Sequence, residues 1–222
     1  MPTSGSAPTT REPLSRPRVI AAAVALADRE GLEGISMRRV GRELGVEAMS
    51  LYRYVSSKDD LIDAMVDQVI GEFPAPDEAL DWNERLRTLV LGAYLVLLDH
   101  GWAASPATSR PSAGPARLSY VDAILGALLD GGCSHQLAHD ALHGIDSHVF
   151  GFTLQEFRLE SGVSGRGYEL DAIVAGGDPE VYPNIARVIG DAHHDRDQEF
   201  VFVLDVLISG IERAIAGSPR TI

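Results

Sequence analysis

Residues 36–58, Ser-Met-Arg-Arg-Val-Gly-Arg-Glu-Leu-Gly-Val-Glu-Ala-Met-Ser-Leu-Tyr-Arg-Tyr-Val-Ser-Ser-Lys, read as two short helices joined by a glycine turn and followed by the cap of a third. Ser36 can accept a backbone hydrogen bond as an N-cap, Val40 and Leu44 fall four apart on one face, and Gly45 can take a positive φ to end the first helix. Val46 and Leu51 can then pack inward against that helix. This leaves Ala48, Met49, Ser50 and Tyr52 near the start of the second helix, pointing outward where a DNA major groove would lie. The pattern predicts a helix-turn-helix.

The flanks agree with it. Ser15 is a credible N-cap for a helix running to Glu30, with Pro17 tolerated in its first turn, Gly31 past its end, and Val19, Ala22, Ala23 and Leu26 forming its core stripe. Ser57-Lys-Asp-Asp begins another helix with a capping-box pattern, and Leu61, Ile62, Met65, Val66 and Val69 repeat at helical spacing down to Gly71. That helix joins the head to the rest of the chain.

On these residues the segment from Leu14 to about Phe73 resembles the TetR family of transcriptional regulators. Gly45-Val46, Leu51-Tyr52, Lys58 and Leu61 stand at the family's spacings, and Gly-Val-Glu-Ala-Met-Ser-Leu-Tyr is similar to the branch that contains the tetracycline repressor. The resemblance implies an all-α protein: a three-helix DNA-binding head followed by a helical ligand-binding and dimerisation unit. By position, Arg38 matches a base-contacting arginine, whose planar fork suits guanine O6 and N7. Ala48, Met49 and Ser50 match base-reading positions, Tyr52 and Lys58 match phosphate contacts, and Ser36 is a further candidate. Ala48 and Met49 offer only apolar contact, which favours thymine methyl groups. Arg39, Arg42, Arg53 and Tyr54 read as ordinary solvated or core-covering side chains.

Charge divides along the chain in the same sense. Of a net −13, residues 11–58 carry nine Arg or Lys against six Asp or Glu, giving +3 and leaving −16 for the remainder. Only the N-terminal unit can attract phosphate, while an acidic body repels it. Lys58 is the single lysine in the chain.

Composition suggests three segments: 1–13, a disordered arm rich in Pro, Ser, Thr and Gly; 14–73, the DNA-binding head with its connecting helix; and 74–222, the ligand-binding and dimerisation unit. Cys133 is the single cysteine, and no charged-then-apolar leader is evident, so a cytoplasmic protein is expected. The apolar run Leu89 to Leu98 is about half of the roughly 20 residues that a membrane helix needs. Beyond the linker Phe73-Pro-Ala-Pro-Asp, helices are predicted over Trp82 to Leu98, Pro115 to Leu129, His135 to Leu159, Tyr182 to Ile189 and Asp195 to Ala216. Ser105 to Pro111 and Ser161 to Gly177 read as loops or turns.

Two of these helices are apolar on more than one face, which predicts contact with a second subunit. In Phe200 to Ile215, Phe200, Leu204, Leu207, Ile208 and Ile211 form one face, and Val201, Phe202 and Val206 extend beyond it; Phe150 and Leu154 belong to a similar helix. The resemblance implies a homodimer joined through two C-terminal helices of each subunit. Such a dimer can set two reading helices about 34–36 Å apart on a near-palindromic operator.

Tyr94, Leu98, His100, Trp102, Phe150 and Phe157 are candidate walls for a small-molecule effector, since aromatic and apolar linings with a few polar groups make such sites. The same residues would serve equally as plain core. Tetracycline itself is disfavoured: with Arg110-Pro111 as the anchor, Pro106 stands where the tetracycline repressor has its metal-contacting histidine. His135, His139 and His143 fall at i, i+4 and i+8, a spacing that can hold zinc but more commonly marks a solvated face. His193-His194 reads as a capping turn. No metal site, cofactor or catalytic residue is therefore expected. The glycines at 162, 165 and 167 do not open a helix after a strand, and Cys133 beside His135 reads as an ordinary thiol. The competing class is a helical ligand-binding or redox-sensing protein that does not act at DNA.

Overall fold

The computed structural model describes residues 13–110, 114–160, 178, 180–189 and 195–217, and these divide into two compact units, one ending at Leu61 and the other beginning at Ile62. No β-strand occurs among the described residues, and no single helix there is long and apolar enough to cross a membrane. The N-terminal arm, the 161–177 stretch and His193-His194 lie outside the described residues.

In the first unit, α1 (Arg16–Glu30) opens on Ser15, whose Oγ accepts the Arg18 N–H at 3.4 Å, and buries Val19, Ala23, Leu26 and Ala27. A short 3-10 turn, Leu32–Gly34, leads to α2 (Met37–Leu44) and α3 (Ala48–Leu51). The small core closes over Ile35, Met37, Val40, Leu44, Leu51 and Val55. Helix α4 (Lys58–Ile70) crosses the division, which falls inside it.

The second unit is built around α5 (Trp82–Asp99). Asp81 caps it by accepting the Glu84 N–H at 3.0 Å, and Leu86, Leu89, Val90, Ala93, Tyr94 and Leu97 are buried along it. Helices α7 (Pro115–Asp130) and α8 (His135–Glu160) pack on α5, and α10 (Arg196–Gly217) packs on α8; α9 (Pro183–Ile189) is short. Where α5, α8 and α10 meet, Phe200 lies between the rings of Tyr94 and His148, with centroids at 3.8 and 4.3 Å, and Phe152 meets its edge. Arg85 is buried on α5. It is tolerated because its guanidinium pairs with Glu78 at 2.8 Å and with Asp130.

One segment expected as a loop is helical. A 3-10 turn, Gly101–Ala103, runs into α6 (Ala104–Ser109), where Pro106 falls in the first turn and forfeits no intrahelical bond. The Thr108 and Ser109 hydroxyls fold back onto the carbonyls of Ala104 and Ser105 at 3.1 and 2.8 Å. Ser, Thr and Pro therefore serve the helix here, where composition suggested that they would break it.

Candidate functional site

The geometry of the head follows from its caps. Ser36 Oγ accepts the Arg39 N–H at 3.3 Å, so its hydroxyl oxygen starts α2. Gly45 ends that helix at φ 62°, a left-handed conformation that glycine adopts without a Cβ penalty. The Val46 N–H then donates to the Gly41 carbonyl at 2.8 Å, fixing the corner between α2 and α3. Leu51 is buried beneath α3. Met49 is 75% exposed, Tyr52 is 45% exposed, and Ala48 and Ser50 are half-buried beside them.

Arg38 is exposed in the first turn of α2, and Lys58 is exposed at the first position of α4. Exposed apolar and cationic side chains thus share the short run that the sequence singled out. Arg42 and Arg53 are exposed as well, whereas Arg39 is held in an ion pair with Glu30, which removes it from the free surface charges.

Arg16 and Asp60 are the residues of this site that pattern reading missed. The Arg16 Nη1 group donates to the Tyr54 carbonyl at 2.7 Å, and its Nη2 lies 2.9 Å from Asp60 Oδ1, so one guanidinium joins α1, the end of α3 and the start of α4. Asp60 also accepts from the Ser56 N–H at 2.7 Å and from its hydroxyl at 3.0 Å. Ser57 Oγ accepts the Asp60 N–H at 3.0 Å, as the capping-box pattern requires, but the returning carboxylate reaches Ser56. A long-range arginine contact leaves no periodic trace in sequence.

The Arg16 guanidinium and the Ser56 N–H hold the Asp60 carboxyl down at about 2. A depressed carboxylate contributes stability above its unfolded value of about 3.9 and loses it as pH falls towards the folded value. Melting between pH 4 and pH 2 should therefore fall less steeply in Asp60→Asn than in the natural sequence. Identical slopes would show that the pair stores no stability. The effect is modest because solvent screens the half-exposed Arg16.

In the second unit, Tyr94, Trp102 and Phe150 are buried, and Leu98, His100 and Phe157 are half-buried. Tyr94 donates its hydroxyl to Asp197 at 2.9 Å and stacks on Phe200; His100 Nε2 lies 3.4 Å from Glu72; Phe157 packs against Gly101. These side chains are engaged in the core and at its rim. Neither of two crevices in this unit is lined by any of the six. One lies among α4, α6 and α7, beside Asp67, Arg110, Gly114 and Arg117. The other, about 320 Å³, runs over Arg85 between Glu78, Asp122 and Asp130.

The expected dimer positions differ in how far a single chain covers them. Phe150, Phe200, Leu204, Ile208 and Ile211 are buried within a single chain, and Leu154 and Leu207 are half-buried. Within the chain, α5 and α8 cover the strongest apolar stripe of α10. What α10 leaves exposed is Phe202, Val203 and Val206, two of which the sequence placed beyond the main face.

His139 and His143 meet edge to face at 4.6 Å, with Asp140 Oδ1 3.3 Å from His139 Nδ1. Among the described residues no three His, Cys, Asp or Glu side chains converge in a way that could hold a metal ion. Cys133 is buried, and that burial pushes its thiol up, leaving little thiolate to react near neutral pH. This weakens the redox-sensing alternative.

Comparison with known proteins covers most of the chain. Residues 19–65 match the family described as bacterial regulatory proteins, tetR family, and residues 73–215 match the tetracyclin repressor-like C-terminal domain. The HTH-type transcriptional repressor DrrR1 of Streptomyces coeruleorubidus is 32% identical over 228 residues, covering 97% of this chain and 82% of that protein. Among solved structures, a possible TetR family transcriptional regulator from Streptomyces coelicolor A3(2) has a TM-score of 0.80 at 26% identity, over 90% of this chain and 100% of that one. ActR of Streptomyces coelicolor, solved in complex with actinorhodin, has a TM-score of 0.77 at 26% identity, over 93% of this chain and 100% of that one.

Proposed function

The chain belongs to the TetR family of ligand-responsive, DNA-binding transcriptional regulators, and from that premise we propose that it is a repressor that grips a near-palindromic operator as a homodimer in the cytoplasm. A small molecule bound in the second unit releases it. The observation that carries the DNA reading is the exposed run Arg38, Met49, Tyr52 and Lys58, held on a corner whose caps and core leave these side chains free. Arg38 reads a base edge; Tyr52 and Lys58 hold phosphate; Ala48, Met49 and Ser50 line the groove; the Ser36 hydroxyl contributes only what its cap leaves over.

Selection of bound fragments from a random duplex pool tests this directly, with inverted half-sites as the expected product. On the selected operator, Arg38→Ala should cost about 1–3 kcal/mol and relax one position, whereas Lys58→Ala should weaken binding to all duplexes and flatten the salt dependence. Equal salt slopes for Lys58→Ala and the natural sequence would remove Lys58 from the phosphate contacts. Failure to enrich any duplex would favour a ligand-binding protein without a DNA role.

The partner copy is expected on α8 and α10, as the family resemblance implies. Phe202 at 67% exposure and Val206 at 51%, one turn apart on α10, form an apolar strip that a second α10 can cover. Phe202→Asp should sediment at monomer mass at micromolar concentration and lose operator affinity. A variant that stayed dimeric would move the interface elsewhere.

Release needs only an effector that prefers the DNA-incompetent arrangement. Helix α4 is the lever in this reading, because it is continuous from Lys58 at the head to Ile70 in the second unit. ActR was solved with actinorhodin, and a comparable small organic molecule is the effector in this reading. Tetracycline remains disfavoured by Pro106.

A further inference from the structure

Three buried polar atoms of the second unit end without a partner in one neighbourhood. Tyr120 is 5% exposed, and its hydroxyl makes no hydrogen bond. Arg117 and Asp146 form an ion pair through Nη2 and Oδ2, yet Arg117 Nη1 and Asp146 Oδ1 are buried and unmatched. The Arg117 guanidinium carbon lies 5.5 Å from the Tyr120 ring centre and 4.6 Å from that of Phe150, and Phe73 meets Tyr120 edge-on at 5.1 Å. Buried polar groups left unpaired forfeit the hydrogen bonds they had in water, and folded proteins keep few of them. Here a donor, an acceptor and a hydroxyl that can act as either sit together between aromatic walls.

We infer that Arg117, Tyr120 and Asp146 are the polar recognition point of the effector, and that the effector offers them a neutral group that both accepts and donates, such as a hydroxyl beside a carbonyl or a carboxamide. This rests on the reading that the second unit binds a small molecule. Neutrality follows from the pair itself: a carboxylate would meet Asp146 and an ammonium would meet Arg117, whereas a neutral donor–acceptor satisfies Nη1 and Oδ1 without disturbing their ion pair.

The position suits signalling as well as binding. Arg117 also lines the crevice among α4, α6 and α7, which leaves about 20 Å³ for a water-sized group. Asp67 of α4 accepts the backbone N–H groups of Ala116 and Arg117 at 2.9 and 3.3 Å, so the lever helix is bonded to the turn of α7 that carries Arg117. A ligand that shifts Arg117 acts on α4 through a direct contact.

Three single-ring probes separate the possibilities: salicylamide, neutral with a hydroxyl beside a carbonyl; salicylate, its anionic counterpart; and benzamidine, a cation. Binding is measured by calorimetry on the full chain and on Tyr120→Phe and Asp146→Asn, with melting temperatures recorded alongside. The expected result is that salicylamide binds about ten-fold or more tighter than either ion, and that each variant loses about ten-fold of that affinity. Tyr120→Phe, which removes only an unmatched oxygen, should melt no lower than the natural sequence, so it remains informative if Asp146→Asn does not fold.

A preference for either ion, equal binding of all three, no saturable binding of salicylamide, or undiminished affinity in Tyr120→Phe would overturn the inference. So would a lower melting temperature in Tyr120→Phe, the mark of a hydroxyl bonded to structural water alone. The proposed function fails separately. If salicylamide binds as expected but no duplex is enriched, the recognition point stands and the repressor reading falls; if operator is bound and an ion releases it, the reverse holds.

Discussion

Phe200→Ala should lower the stability of the second unit by about 3–5 kcal/mol, the range for truncating a buried aromatic. The ring has no exposure and is covered on one face by Tyr94, on the other by His148, and at its edge by Phe152. Neighbours on two other helices cannot all relax into the space, so a cavity adds to the lost transfer energy. Urea unfolding should show a lower midpoint with an unchanged slope. A loss below 1 kcal/mol would mean that the α5, α8 and α10 junction is far looser than its ring spacings indicate.

The same variant carries a pH signature. Burial holds His148 below the usual histidine value, against the hydrogen bond between its Nε2 and the Phe200 carbonyl at 2.9 Å. A histidine lowered in the folded state contributes stability that is present above its unfolded value, about 6.5, and is lost as pH falls through the folded one. Removing the Phe200 ring hydrates His148, so the loss between pH 7 and pH 5 should shrink in Phe200→Ala.

Gly41→Ala is expected to be the most damaging small change in the head. A Cβ there would lie 2.8 Å from the Val46 carbonyl oxygen and 3.3 Å from the Ala48 nitrogen, both backbone atoms at the corner that aims α3. Because neither can swing aside as a side chain would, α3 must shift, at a cost of about 1–3 kcal/mol. Operator affinity should fall by about ten-fold or more, since Met49 and Tyr52 move with α3. Gly126→Ala, where an added Cβ meets nothing within 4 Å, is the control and should leave both stability and binding intact. Operator affinity within two-fold of the natural sequence in Gly41→Ala would show that the corner tolerates the methyl group and that α3 is not aimed by this contact.

Legibility in the sequence tracked the range of the interactions involved. The caps at Ser15, Ser36, Gly45 and Ser57 and the stripes of α1, α4, α5, α7 and α8 are local, repeating every turn or closing within four residues, and could be read directly. Helix α6 was missed because its Ser, Thr and Pro residues carry loop propensity, and packing on α8 outweighs it. The candidate effector residues are aromatic and apolar. Such side chains are also what a core demands, and Tyr94 and Phe150 are engaged there; the unmatched polar atoms belong to Arg117, Tyr120 and Asp146, whose sequence neighbourhood shows nothing unusual.

Local order along the chain specifies that it is helical, that its basic end carries a turn able to present Arg38, Met49, Tyr52 and Lys58, and where most helices start and stop. Hydrogen bonds that close within one turn, and apolar residues recurring every three or four positions, are written along the chain. Helix packing sets which apolar faces are already covered, leaving Phe202, Val203 and Val206 exposed on α10, and which distant charges meet, as Arg16 does with Asp60 and Arg117 with Asp146. Those outcomes depend on contacts between residues far apart in sequence, and such contacts are fixed by how the helices pack against one another.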